Sequence, residues 1–209
     1  SSSPLKIYLV DPKINYNKDE FLNQKNMFHH EIFFYENLMD LPKSLDFLIC
    51  STTANIRKKL LLNILDNINI QYILSEKVVF QSSDDFDELI LKADKNKTKI
   101  WVNCPQRTYE LYRSIKENFR GKNFQMSSLG NNWNLASNSI HVLDLFCYLT
   151  DDYDIKFIEK NFLSDKIQSK REGYYELKGY AKIANSSGVL IIEDSIKYNY
   201  CLLYTSPSH

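Results

Sequence analysis

The chain has 209 residues, 44% of them hydrophobic and 25% charged, which is ordinary for a globular protein of one large or two small domains. Lys plus Arg and Asp plus Glu balance at 26 each, with a pI near 6.9, so no global positive field exists to recruit nucleic acid or an anionic membrane, and neither is expected as a partner. No apolar run reaches the ~18 residues needed to span a bilayer, and Asp46, Glu76 and Asp144 interrupt the best candidates.

Lys6 to Val10 reads as a strand closed by Asp11-Pro12, and residues 31–36 as a second, rich in β-prone Ile, Phe and Tyr. Residues 46–51 form a near-continuous apolar run, the pattern of a strand buried on both faces. Residues 53–67 then follow a helical period with Ile56, Leu60, Leu61 and Ile64 on one side, and residues 70–74 make another buried strand. Ser82 or Ser83 can cap the next helix, whose first turn is rich in Asp and whose Phe86, Leu89, Ile90 and Ala93 face inward. The basic run from Lys92 to Lys99 is broken by Asp94 and reads as a solvated helix end. Residues 99–103 form a strand, and Pro105 opens a helix through Tyr109, Tyr112 and Ile115. This alternation predicts an α/β fold with a doubly wound parallel sheet over residues 1–121.

After Gly121 the pattern changes. Residues 136–150 make an apolar helix, and residues 154–165, 174–184 and 188–198 read as longer alternating strands, with Asn185-Ser-Ser-Gly188 as a hairpin turn. An α+β domain with a mostly antiparallel sheet is therefore expected over residues 122–200. Residues 201–209 follow no earlier pattern and are expected to be a non-native tail outside the fold. The cysteines at 50, 104, 147 and 201 form no Cys-x-x-Cys pair, and the first three sit in apolar segments. Buried free thiols in a reducing, cytoplasmic compartment are expected, and no metal site.

Two places can carry chemistry. Ser137, His141, Asp144 and Tyr148 recur at i, i+4, i+7 and i+11, so they share one face of an otherwise apolar helix. A polar stripe on a buried helix meets either a polar partner or a cavity, so His141 reads either as a core His satisfied by Asp144 or as a functional group. The pair Glu76-Lys77 follows the strand at 70–74, and Thr52, Thr53 and Asn103 likewise fall just past strand ends. Ligands of open α/β sheets bind beyond those carboxyl edges, which makes a cleft the better reading than three unrelated surface clusters. Asp11 closes the first strand either as a simple turn residue before Pro12 or as a carboxylate for ribose hydroxyls. In dinucleotide folds such an acid follows a Gly-x-Gly-x-x-Gly loop by roughly 20 residues. No such loop occurs in the chain, and counting back that far from Asp11 passes Ser1.

The segments Asp46-Phe-Leu-Ile-Cys-Ser-Thr-Thr53, Glu76-Lys77-Val78, Val102-Asn-Cys-Pro-Gln-Arg107 and Ser137-Asn-Ser-Ile-His-Val-Leu-Asp144 together resemble, in order and spacing, the Gfo/Idh/MocA oxidoreductase family. The resemblance runs from about residue 5 to 198 and is nearest the branch of surface-polysaccharide gene clusters. The family pattern is Glu-Lys-Pro followed by Asp-x-Gly-x-His-x-x-Asp. Lys77 falls on its catalytic lysine and His141 on its catalytic histidine, whereas Val78 replaces Pro, Ser137 the first Asp and Ser139 the Gly. The resemblance implies an incomplete Rossmann-type domain that lacks its first strand and glycine loop, followed by a partial substrate or oligomerisation domain.

It also implies hydride transfer between a sugar or sugar derivative and a nicotinamide cofactor, NAD or NADP, with NAD favoured by Asp11. His141 would be the general base and Lys77 the donor to the same oxygen, with Asp11, Thr52, Thr53, Glu76, Lys77, Asn103 and Arg107 on the cofactor side. Ser137 and Asp144 would contact substrate or support His141. A homo-oligomer is expected of the full-length parent, and the 209-residue chain is expected to bind NAD(H) poorly. Two other readings stay open. One is a non-catalytic sugar-binding or regulatory relative on the same scaffold, favoured by the loss of the carboxylate at 137. The other is an unrelated α/β interaction domain.

Overall fold

Strand and helix in this chain follow its apolar patterning closely. The structure, a computed structural model, describes residues 3–13, 30–165, 167–169, 172–195 and 201–205, and divides between Val102 and Asn103 into two compact units.

In the first unit β1 (Lys6–Val10) pairs in parallel with β2 (Glu31–Tyr35). A second parallel sheet runs in the order β3 (Ser44–Cys50), β4 (Asn69–Ser75), β5 (Lys99–Val102). Parallel neighbours cannot be joined by a tight turn, and the crossovers are α1 (Ala54–Asn67) and α2 (Asp84–Lys95). Acidic residues at 84, 85 and 87 occupy the first turn of α2 and basic residues 92 and 95 its last, the arrangement the helix dipole prefers. Lys58 bridges α1 to Asp85 and Glu88 of α2, each at 2.9 Å.

The core gathers Cys50, Ile70 and Ile73 from the sheet, Leu61, Ile64 and Leu65 from α1, and Leu89 and Ala93 from α2. Tyr8, Val10 and Tyr35 of the β1–β2 sheet pack against the same cluster. The inward faces differ from the expected ones in detail. Ile56 and Ile90 were expected inside and are 51% and 53% exposed. The buried stripe of α1 runs instead through Arg57, Leu61, Ile64 and Leu65, because a guanidinium rather than an isoleucine meets the sheet end. On the sheet's other face Phe47, Ile49, Tyr72 and Trp101 are exposed.

The second unit opens with a 3-10 turn (Pro105–Thr108) and α3 (Glu110–Phe119). Then follow β6 (Phe124–Gly130), α4 (Leu135–Thr150), β7 (Lys156–Phe162), the short pair β8 (Ile167–Gln168) and β9 (Tyr175–Glu176), β10 (Gly179–Asn185), β11 (Gly188–Asp194) and β12 (Cys201–Thr205). Its five-stranded sheet has the order β12-β6-β11-β10-β7, antiparallel throughout except between β6 and β11. Val142, Leu145, Phe146 and Leu149 of α4 form one core with Phe124, Met126, Ala181, Ile183, Leu190 and Ile192 of the sheet.

The compact unit that starts at Asn103 includes α3, whose Tyr112, Ile115 and Phe119 pack on the second core, Phe119 meeting Phe124 edge-on at 5.4 Å. Two expectations about the strands are corrected here. The strand expected over 174–184 breaks into β9 and β10 at Gly179, whose φ of +132° only glycine adopts freely. A Cβ there would stand 2.3 Å from the Asn161 carbonyl. Residues 201–205, expected to lie outside the fold, form β12 on the edge of β6, with Cys201 opposite Leu129.

Phe146 is fully buried at the centre of the second core. Phe146→Ala is expected to destabilise this unit by about 3–5 kcal/mol through lost transfer energy and the cavity left behind. Urea unfolding followed by circular dichroism checks it: the midpoint falls while the slope is unchanged. Among the described residues, no helix is long and apolar enough to cross a membrane.

Candidate functional site

The first unit contributes the carboxyl ends of β3 and β4. Thr52 and Thr53 follow β3, Thr53 preceding α1 with extended backbone, and its hydroxyl donates to Asn55 Oδ1 at 2.7 Å. Glu76 and Lys77 follow β4, both half-buried. The two strand ends are tied together, since the Glu76 amide donates to the Cys50 carbonyl at 2.9 Å. The peptide bond between Lys77 and Val78 is cis. Behind these loops lies Arg57, which donates to the carbonyls of Val78 at 2.5 Å, Val79 at 2.9 Å and Thr52. Asp11 stands at the end of β1 in the other sheet, where its Oδ1 accepts the Lys13 amide at 2.7 Å and closes the Asp11-Pro12-Lys13 turn.

The second unit contributes α4, whose polar stripe carries Ser137, His141, Asp144 and Tyr148 as the spacing predicts. Both ends of this helix are fastened. At its start the Asn132 amide donates to the buried Asp194 carboxylate at 2.7 Å, and Trp133 Nε1 donates to the Glu193 carbonyl at 2.9 Å. Glu176 accepts the Ser137 amide at 3.2 Å and the Ser137 hydroxyl at 2.5 Å. A carboxylate at a helix N-terminus satisfies orphan amides and complements the dipole. At the far end Asn185 Nδ2 donates to Thr150 Oγ1 at 2.8 Å and to the Asp152 carbonyl at 2.9 Å, fixing α4 to the β10–β11 hairpin. The side chain of His141, half-buried, thus projects from an element held at both termini.

Both oxygens of Asp144 accept from Arg107, Nε at 3.0 Å and a terminal nitrogen at closer range. This fork-to-fork pair is the strong form of a charged hydrogen bond. The hydrogen bond to Asp144 also raises the Arg107 pKa above its ordinary value, against the opposing effect of partial burial. Tyr148 is covered by Lys116, 4.3 Å from the ring centre, with Arg107 at 5.9 Å. Asn103 is half-buried directly after β5.

The structure therefore groups Thr52, Thr53, Glu76 and Lys77 on two adjoining loops of one unit. In the other it places Ser137, His141 and Asp144 along one helix, with Arg107 of the 3-10 turn paired to Asp144. Sequence reasoning missed two charged residues, Arg57 and Glu176. Arg57 could have been found, because it sits at the head of the i, i+4, i+7, i+8 stripe that α1 buries. Glu176 could not, since it lies 39 residues from Ser137.

Glu176 is itself buried, so its charge acts on the first turn of α4 with little screening by water. Glu176→Gln keeps an acceptor but removes the charge, and is expected to loosen the N-terminus of α4 by about 1 kcal/mol. Hydrogen exchange is the check: amides at 135–139 quicken, while those at the centre of the helix do not.

No family profile matches the chain, and no curated protein matches it. Solved structures do. A dehydrogenase (MviM) from Clostridium difficile superposes with a TM-score of 0.65 at 14% identity, over 99% of this chain and 75% of its own. An oxidoreductase from Agrobacterium radiobacter, solved with NAD+, L-tartaric acid and magnesium, gives a TM-score of 0.66 at 12% identity, over 92% of this chain and 59% of its own. The transcriptional regulator Gal80p from Kluyveromyces lactis gives 0.66 at 17% identity, over 96% and 61%. The chain thus spans three quarters of one of these proteins and about three fifths of the other two. At such identities the likeness establishes the fold, a Rossmann-like α/β unit followed by an α+β unit with a mostly antiparallel sheet.

Proposed function

We propose that the chain is the greater part of a nicotinamide-dependent oxidoreductase of the Gfo/Idh/MocA type, acting on a hydroxyl-bearing carbon of a sugar or sugar derivative. The observation that carries this reading is the placement of Lys77 and His141, each on a braced backbone, in a chain with the fold of dehydrogenases. Lys77 leaves the carboxyl end of a parallel strand. His141 projects from a buried helix anchored at both ends.

In this reading the imidazole of His141 takes the hydroxyl proton as general base. The ammonium of Lys77 donates to the substrate oxygen and stabilises negative charge as it develops. Thr52, Thr53, Glu76, Asn103 and Arg107 line the cofactor side, and Asp11 accepts from ribose hydroxyls, which favours NAD over NADP. A bound nicotinamide would supply the hydride acceptor.

The donor set present suits the ribose and nicotinamide ends of such a cofactor. It offers no cradle for the pyrophosphate, because all five glycines of the chain lie at position 121 or later. Titration of NADH fluorescence tests this: the 209-residue chain binds weakly. Tight, saturable binding by the 209-residue chain would contradict that expectation.

One observation favours a second reading, a non-catalytic sugar-binding or regulatory protein. The fold is shared with a transcriptional regulator, Gal80p, as closely as with the oxidoreductases. The Ser at 137, where the family pattern has Asp, points the same way.

A further inference from the structure

We propose that Arg57 is a positioning residue for Lys77, a clamp that fixes the backbone on which the proposed catalytic lysine stands. The proposal rests on the reading of Lys77 given above. Arg57 is only 2% exposed, yet the partners its guanidinium reaches are carbonyl oxygens rather than a carboxylate. Burying a guanidinium is costly unless its donors are satisfied. Leu61, Ile64 and Leu65 occupy the rest of that helical stripe, so packing alone would be met by another aliphatic side chain.

The three carbonyls explain the choice. Thr52 belongs to the loop after β3, and Val78 and Val79 to the loop after β4, so a single planar fork joins the two loops. Lys77 is bracketed as a result. One residue before it the Glu76 amide is held by the Cys50 carbonyl at 2.9 Å, and one residue after it the Val78 carbonyl is held by Arg57 at 2.5 Å. Val79 and Phe80, both buried, seat the loop in the core just beyond. The lysine backbone is thus fixed while its side chain stays half-exposed at the sheet edge. A lysine at 57 carries the charge but not the rigid fork, so it cannot span both loops at once.

The test is pulse acetylation of the 209-residue chain and of its Arg57→Met and Arg57→Lys variants, with the rate at each lysine read by mass spectrometry. Lys99 on β5 and Lys160 on β7 serve as internal references. Lys77 is expected to react about tenfold faster in Arg57→Met, the factor corresponding to one lost charge-assisted hydrogen bond, and by an intermediate factor in Arg57→Lys. Reference lysines hold their rates. A Lys77 rate that moves only with the references overturns the proposal. Should Arg57→Met not fold, Arg57→Lys carries the test, and failure of both to fold overturns the proposal in favour of a purely structural core residue.

Labelling needs no turnover, so the clamp is judged apart from the chemistry. In the parent enzyme Arg57→Lys is expected to lower kcat about tenfold with little change in KM. Faster labelling with unchanged kcat leaves the clamp standing and rejects the catalytic reading of Lys77.

Discussion

In the oxidoreductase proposed above, His141→Ala lowers kcat by about two to four orders of magnitude, the usual worth of a positioned general base. The expectation follows from where the residue sits. Position 141 is on the polar stripe of α4, and this helix is tied to Asp194 and Glu176 at one end and to the β10–β11 hairpin at the other. Removing a half-buried imidazole from a helix that is otherwise intact deletes a functional group without deleting the scaffold. The variant should therefore keep its thermal midpoint and its affinity for NADH while losing turnover. Turnover within a fewfold of the wild type would remove His141 from the role of base.

Lys77→Met lowers kcat by about two to three orders of magnitude, comparable to loss of one donor to a developing oxyanion. Methionine matches the length of the aliphatic stem, so the backbone held between the Glu76 amide and the Val78 carbonyl is undisturbed. If Lys77 and His141 serve one step, the double variant is scarcely slower than the worse single one, because groups acting as a unit are strongly non-additive. Steady-state kinetics of the two single variants and the double variant measures this. Simple multiplication of the two effects would show that the residues act in separate steps.

The parallel strands were legible as near-continuous apolar runs, at Phe47 to Cys50 and Ile70 to Leu74, but the burial on both faces expected of such runs is not found, since Phe47, Ile49 and Tyr72 are exposed. Helices α1, α2 and α4 were legible from their period. Strand β6 was not, although Phe124, Met126 and Ser128 alternate inward, because serine at 128 hides the hydrophobic half of the period. The inward face of α1 was misjudged because a charged residue, Arg57, occupies a core position, and hydrophobicity alone assigns that place to Ile56.

For the site, spacing along one element was a sound guide and pairing between elements was not. The shared face of Ser137, His141 and Asp144 follows from helical geometry alone. That Asp144 would be taken by Arg107, and Ser137 by Glu176, depends on the 3-10 turn and on β9 reaching α4, which no local pattern encodes. Ser137 is thereby paired with a carboxylate contributed by a residue 39 positions away.

The most direct test of the central claim is hydride transfer by the full-length protein, followed through nicotinamide absorbance with NAD+ or NADP+ and a panel of sugars and sugar derivatives. Saturable reduction of the cofactor by at least one of them, abolished in His141→Ala, is the predicted result. Saturable sugar binding by the same preparation with no reduction of either cofactor would contradict it, and would make the chain part of a binding or regulatory protein built on a dehydrogenase fold.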